Sequence, residues 1–218
     1  YYQFIKNTDH NKRLIEDEKG IFLKIAVENI KSYLEYIEAS SDILMNNNVV
    51  VLGRVSVGKS TLLNAIVGHK YFQMGDGITT TEIKTYPLGK LNLIDIPGNI
   101  DNNNLIEYAH IIEGAMAVLY VCDAQSVCNT LQMIPQLIAY RRRLNVLNIF
   151  PLLNKIDEID DLNSIRKEYK TVIQTAGLNG IEVIEVSAKM VLLIKLYIAN
   201  KLDENTDQQL LNYVFGHN

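Results

Sequence analysis

One nine-residue run, Gly53-Arg54-Val55-Ser56-Val57-Gly58-Lys59-Ser60-Thr61, narrows the architecture of this chain more than any other feature. It follows the apolar stretch Val49-Val50-Val51-Leu52 and precedes Leu62-Leu63-Asn64-Ala65-Ile66-Val67. The first stretch reads as a buried strand and the second as a helix, so the run is a strand-to-helix turn. Gly53 and Gly58 permit tight backbone geometry. The turn's amides and the helix N-terminus then aim positive partial charge at one point, an arrangement suited to phosphate. Lys59 can reach the β and γ oxygens of a polyphosphate, and Ser60 can offer its hydroxyl to magnesium. Small residues also occur in strand-to-helix turns that bind nothing, so the decision falls to what comes next in the chain.

Thr79-Thr80-Thr81 lies in a polar, glycine-containing stretch. Leu91-Asn92-Leu93-Ile94 then reads as a strand running into Asp95-Ile96-Pro97-Gly98. A strand at 147–153 delivers Asn154-Lys155-Ile156-Asp157, and one at 181–186 delivers Ser187-Ala188-Lys189. Each short motif occurs by chance in loops, but their order and their positions at strand ends do not.

On these residues the chain resembles a GTPase of the P-loop class over about residues 49–189. The resemblance implies that Asp157 accepts two hydrogen bonds from the N1 and N2 donors of guanine, which adenine cannot supply. Asn154 would brace the phosphate loop, the stem of Lys155 would pack on the base, and the Ala188 amide, in the Ser187-Ala188-Lys189 loop, would donate to the guanine carbonyl. A site built to pair one particular edge rejects an analogue that leaves its polar groups unpaired, so GTP and GDP are the implied ligands. The magnesium site would combine Ser60 as direct ligand, Asp95 through water, and Thr80 closing on the metal and the γ-phosphate. Thr81-Glu82-Ile83-Lys84-Thr85-Tyr86 also alternates like a strand, and both readings hold if Thr80 sits at its lip.

The hydrolytic apparatus is less explicit. Small regulatory GTPases place a glutamine just after D-x-x-G to orient water, whereas this chain has Asn99. Water positioning falls to loop backbone, to Thr80 or to a partner. Arg54 is a candidate charge stabiliser, with pairing to solvent or across a dimer as its ordinary role. Ser56 matches a serine linked in dynamin-like GTPases to a potassium ion that replaces an arginine finger on dimerisation; Era-like GTPases place asparagine there. Lys59, Ser56 and Thr80 are therefore the catalytic candidates.

Flanking segments point the same way. Phe22, Ile25, Ala26, Ile30, Tyr33, Leu34 and Ile37 form one apolar helical stripe within residues 1–46. Residues 190–198 are nearly all apolar, and Leu210, Leu211, Val214 and Phe215 make a further stripe within 190–218. Either these helices cover their own sheet or they begin a stalk, as in dynamin-like proteins.

A chain of 218 residues, 48% hydrophobic, can bury one sizeable core with appended helices. A net charge of −4 and one basic cluster, Arg141-Arg142-Arg143, give no support for nucleic-acid binding. Cys122 and Cys128 lack a second pair, and His10, His69, His110 and His217 share no ligand spacing. With no secretory pattern and no apolar run of membrane-spanning length, the chain reads as cytoplasmic, with peripheral membrane contact in the dynamin-like case.

The expected fold is a three-layer α/β domain over 47–189 with a mostly parallel sheet. Strands are expected near 49–52, 81–87, 91–95, 115–122, 146–153 and 183–187, and helices near 60–67, 105–112, 128–143, 160–176 and 190–202. Leu88-Gly89-Lys90 makes strands two and three an antiparallel hairpin. Two functions fit: a dynamin-like GTPase activated by homodimerisation through the nucleotide face and remodelling lipid membranes, or an Era-like switch that times association with a ribosomal or other protein partner. A nucleotide-binding scaffold with negligible hydrolysis is a third.

Overall fold

A computed structural model describes residues 30, 47–74, 82–98, 105–127, 137, 148–175, 177 and 183–199. Outside them lie the threonine run 79–81, Asn99 and the asparagine-rich 101–104, Cys128, His10, His217, the arginine cluster and residues 200–218. The expected N-terminal helix and the helix at 128–143 also fall outside, apart from Ile30 and Leu137, each of which is helical.

Six strands form one sheet. In chain order they are β1 (Asn48–Leu52), β2 (Lys84–Leu88), β3 (Leu91–Asp95), β4 (Ala117–Asp123), β5 (Asn148–Asn154) and β6 (Ile184–Val186), arranged β2-β3-β1-β4-β5-β6. Every pairing is parallel except β2 with β3. That exception is the expected hairpin: Leu88 pairs with Leu91, and Gly89 opens the two-residue turn at φ 61°. The described helices are α1 (Lys59–Val67), α2 (Ala109–Glu113), α3 (Leu162–Thr175) and α4 (Ala188–Ile198).

Side chains alternate across the sheet, and both faces are covered, which is why the parallel strands read as continuous apolar runs. Val49 and Val51 of β1, with Ala117, Leu119 and Val121 of β4, face a core layer shared with Leu62, Leu63 and Ile66 of α1 and Val191, Leu192 and Ile194 of α4. Ile30 belongs to this same layer and is 1% exposed. Val50 and Leu52 of β1, with Val118, Tyr120 and Cys122 of β4, face the opposite layer with Ile112 of α2, Leu137, and Tyr169 and Ile173 of α3. Each large side chain buried this fully contributes about 1.5–3 kcal/mol, so the two layers dominate stability.

Several element ends differ from expectation by a residue or two, and two starts differ by more. The second strand begins at Lys84 rather than 81, leaving Glu82 and the exposed Ile83 ahead of the ladder. The helix expected from 105 begins as a 3-10 turn at Leu105–Tyr108 and becomes α-helical at Ala109. Side-chain alternation marks faces but not the hydrogen bonds that begin a ladder, and element ends fray readily. In α3, Asp161 accepts from both the amide and the hydroxyl of Ser164, capping the first turn, and that pairing holds its carboxyl below the usual range. Among the described residues no helix is long and apolar enough to cross a membrane.

Candidate functional site

The C-terminal ends of β1, β3, β4, β5 and β6 lie along one edge of the sheet, and the motif residues leave from them. The chain moves from β1 to β3 on one side and to β4 on the other, so β1 stands where the strand order reverses, the usual place for a ligand in an open α/β sheet.

Gly53, Arg54, Val55, Ser56, Val57 and Gly58 form the loop between β1 and α1, and Lys59, Ser60 and Thr61 open the helix. Gly58 caps α1 in the left-handed conformation, with φ 91° and no side-chain cap, and no acidic residue occupies the first turn. The helix's first-turn amides and its dipole therefore direct positive partial charge into the loop. Ser56 and Lys155, both with φ 63°, are the two non-glycine residues of positive φ among the described residues. Both lie in site loops, where such strain of about 1–3 kcal/mol characteristically gathers.

The Lys59 ammonium lies across this loop and donates to the Arg54 carbonyl at 3.0 Å. Lys59 is 6% exposed, and burial lowers its pKa from 10.5 to about 8, partly offset by attraction to Asp95. A buried cation at a helix N-terminus is a strong anion attractor. Gly98 lies close by: a Cβ there would stand 2.5 Å from Lys59 Nζ and 2.9 Å from Val55 Cα. Only glycine allows the Asp95-x-x-Gly98 turn to approach the loop so closely.

Ser60 Oγ donates to Asp95 Oδ2 at 2.7 Å, and Asp95, at the end of β3, is fully buried. A hydroxyl beside a carboxylate is a hard-oxygen pair that suits magnesium, an ion bound through one or two protein ligands, substrate phosphates and water. Among the described residues no group of three or more His, Cys, Asp or Glu could hold a metal. Thr80, the third expected ligand, lies outside the described residues.

Asn154 connects the two halves of the site. Its Nδ2 donates to the Val57 carbonyl at 2.8 Å, and its Oδ1 accepts from the Ala188 amide at 2.9 Å. One buried side chain therefore ties the phosphate-side loop to the loop at β6, across 97 residues in one direction and 34 in the other. Asp157 lies half-buried in the 3-10 turn Ile156–Glu158 that follows; Ser187 is buried, and its Oγ has no hydrogen-bond partner among the described residues. Lys189 is exposed at the start of α4.

Two residues that the sequence reading missed belong to this scaffold. Asp123 ends β4 and accepts from Lys155 Nζ at 2.6 Å. Its signal was an acidic residue ending a wholly apolar strand, at the level where the other motifs emerge. Asn64 is fully buried in α1; its Oδ1 accepts from the amides of Tyr71 and Phe72, and its Nδ2 donates to the Phe72 carbonyl, each at 2.8 Å. A lone amide inside Leu62-Leu63-Asn64-Ala65-Ile66-Val67 was its signal. Tyr71 stacks edge-on against Phe72 and Tyr86, fastening this segment to β2.

The arrangement joins a glycine-bounded strand-to-helix loop, a hydroxyl–carboxylate pair and a bridged N-K-x-D turn at the ends of parallel strands. Residues 48–155 match the family described as 50S ribosome-binding GTPase. The chain carries a P-loop GTPase domain. Relatives of this GTPase domain include the GTPase Era of Stenotrophomonas maltophilia strain K279a, 48% identical over 56 residues, which cover 23% of this chain and 19% of that protein. The GTPase Era of Xanthomonas campestris pv. campestris strain B100 is 45% identical over 58 residues, 24% of this chain and 20% of that protein. The chain thus spans about a fifth of the length of these relatives. The crystal structure of a probable GTP-binding protein, engB, superposes with a TM-score of 0.51 at 19% identity, covering 71% of this chain and 97% of that one, and shares the fold. The dynamin-like likeness drawn from Ser56 and the flanking helices gains no support from these relatives.

Proposed function

We propose that this GTPase domain is an Era-like nucleotide switch, which binds GTP and GDP with magnesium and hydrolyses GTP to time association with a ribosomal or other protein partner. The observation that carries the reading is the pair of hydrogen bonds by which Asn154 donates to the Val57 carbonyl and accepts from the Ala188 amide, which would couple a phosphate loop to a base-reading loop. The resemblance to the two Era proteins favours this switch over the dynamin-like alternative.

In this reading the amides of 53–61 and Lys59 hold the polyphosphate, with the helix dipole of α1 adding to the attraction. Breaking Lys59 from the Arg54 carbonyl onto a phosphate replaces a neutral acceptor with a charged one, which makes a stronger hydrogen bond. Ser60, Asp95 and Thr80 would hold magnesium, which would neutralise charge building on the phosphates. Gly98 brings its backbone beside Lys59, where the terminal phosphate would lie. Asp157 would read the guanine edge, the Ala188 amide its carbonyl, and Lys155 its face. Residues 47–189 would be the nucleotide-binding unit, with 1–46 and 190–218 flanking it.

The test is GTP turnover per chain across protein concentration, in potassium and in sodium, alongside Ser56→Ala. A switch gives slow turnover that does not depend on concentration and rises when a partner is added. Turnover that grows with concentration, requires potassium and collapses in Ser56→Ala would establish the dimer-activated, dynamin-like mechanism and overturn the switch.

A further inference from the structure

The turn after β5 is held from three directions, and the third hold comes from outside its own motif. Asn154 supplies the first two. Asp123 supplies the other, from the position on β4 that lies in register with Asn154. Its Oδ2 accepts the charged hydrogen bond from Lys155 at 2.6 Å, while Oδ1 accepts from the Gln125 amide at 2.9 Å. The carboxylate is thereby oriented by the 3-10 turn Ala124–Ser126 that it caps. From the same turn, Gln125 Nε2 donates to Glu158 Oε2 at 3.0 Å, a second strut onto the same loop.

These contacts matter because Lys155 is otherwise a poor candidate for a fixed surface. Its side chain has four rotatable bonds and forfeits considerable rotamer entropy when ordered. Its backbone holds φ 63° and ψ 34°, a left-handed conformation that persists only where the surroundings enforce it. Glu158's amide closes the turn onto the Lys155 carbonyl at 3.1 Å, and Asp123 fixes the far end of the side chain. The pair is partly shielded, at 26% and 13% side-chain exposure, so the attraction is only partly screened by water.

We infer that Asp123 is a positioning residue for the nucleobase: by pinning the Lys155 ammonium it lays the lysine stem as a flat apolar wall against one face of a planar purine. Preordering this wall removes an entropic cost that binding would otherwise meet. Asp123 acts through Lys155. The inference rests on the proposed base pocket at 154–157 and 187–189.

Calorimetry with GDP and, separately, with inorganic tripolyphosphate, both in magnesium, tests it on the wild type, Asp123→Asn, Asp123→Glu, Lys155→Met and the Asp123→Asn/Lys155→Met double variant. Asp123→Asn keeps the acceptor for Gln125 but removes the charge, and is expected to weaken GDP binding roughly fivefold, as loss of a partly exposed ion pair would. Tripolyphosphate, which has no base, is expected to bind unchanged. Asp123→Glu is expected to recover part of the GDP affinity, and Asp123→Asn to add nothing in the Lys155→Met background. GDP affinity within twofold of wild type in Asp123→Asn overturns the inference, as does equal weakening of both ligands with a lowered melting temperature, which marks a merely structural role. If the wild type binds tripolyphosphate but not GDP, the base pocket itself is refuted and the inference falls with it.

Discussion

Replacing Asn154 by alanine removes one donor and one acceptor at once. The Val57 carbonyl and the Ala188 amide, both in buried hydrogen bonds to this side chain, lose their partner together. A buried polar group left unsatisfied costs about 1–3 kcal/mol, so the pair costs about 2–6 kcal/mol. Total stability for a domain of this kind is about 5–15 kcal/mol, which makes the variant severely weakened but still measurable. With a urea slope of about 2 kcal/mol per molar, the unfolding midpoint falls by about 1–3 M. A second substitution sharpens the test. Gly58→Ala would place a Cβ 2.3 Å from Asn154 Nδ2 at φ 91°, so it suffers both a clash and left-handed strain. In the Asn154→Ala background only the strain of about 1–2 kcal/mol remains, and the two substitutions couple rather than add. An Asn154→Ala midpoint within 0.2 M of wild type, a shift of about 0.4 kcal/mol at that slope, would refute the view that this residue bridges the site.

Lys59→Met is expected to weaken GDP and GTP binding about a hundredfold in fluorescence titration, through loss of charge-assisted bonds to phosphate. The same variant reports on the buried charge. Because the folded-state pKa is lowered from 10.5 to about 8, the unfolded chain binds the extra proton between these values, and ligand-free stability rises with pH across that window. Lys59→Met lacks that rise, so its stability advantage over wild type at pH 7 closes between pH 8 and 10.5 in chemical denaturation. Ser60→Ala is expected to abolish the magnesium enhancement of GTP binding while leaving metal-free binding within a few-fold, as titration with and without chelator would show. Arg166 and Glu185 form a two-pronged ion pair on the surface; because Arg166 is well exposed, Glu185→Gln is expected to cost under about 1 kcal/mol, and that cost is expected to shrink as salt is raised.

The fold was readable because parallel strands covered on both faces have to be apolar between their ends, and β1, β4 and β5 are. Their spacing by helical stretches then left one sheet as the economical arrangement. The phosphate loop was equally readable, since Gly53 and Gly58 are identities the backbone geometry demands. Asp123 and Asn64 escaped because their roles are made by neighbours distant in sequence: Asp123 acts on a residue 32 positions away, and Asn64 on amides seven and eight positions ahead. A single polar residue in an apolar element signals a partner without naming it. The start of β2 escaped for a related reason, because alternation in Glu82 and Ile83 continues where ladder pairing does not.

The sheet's margins also bear on how any self-association would be read. Among the described residues one margin is β6, three residues long, and the other is β2, where Pro87 offers no amide and Lys84 brings charge. Margins of this kind resist templating a foreign strand. Crowding of the purified protein should therefore not produce ribbon-like oligomers built through these two margins.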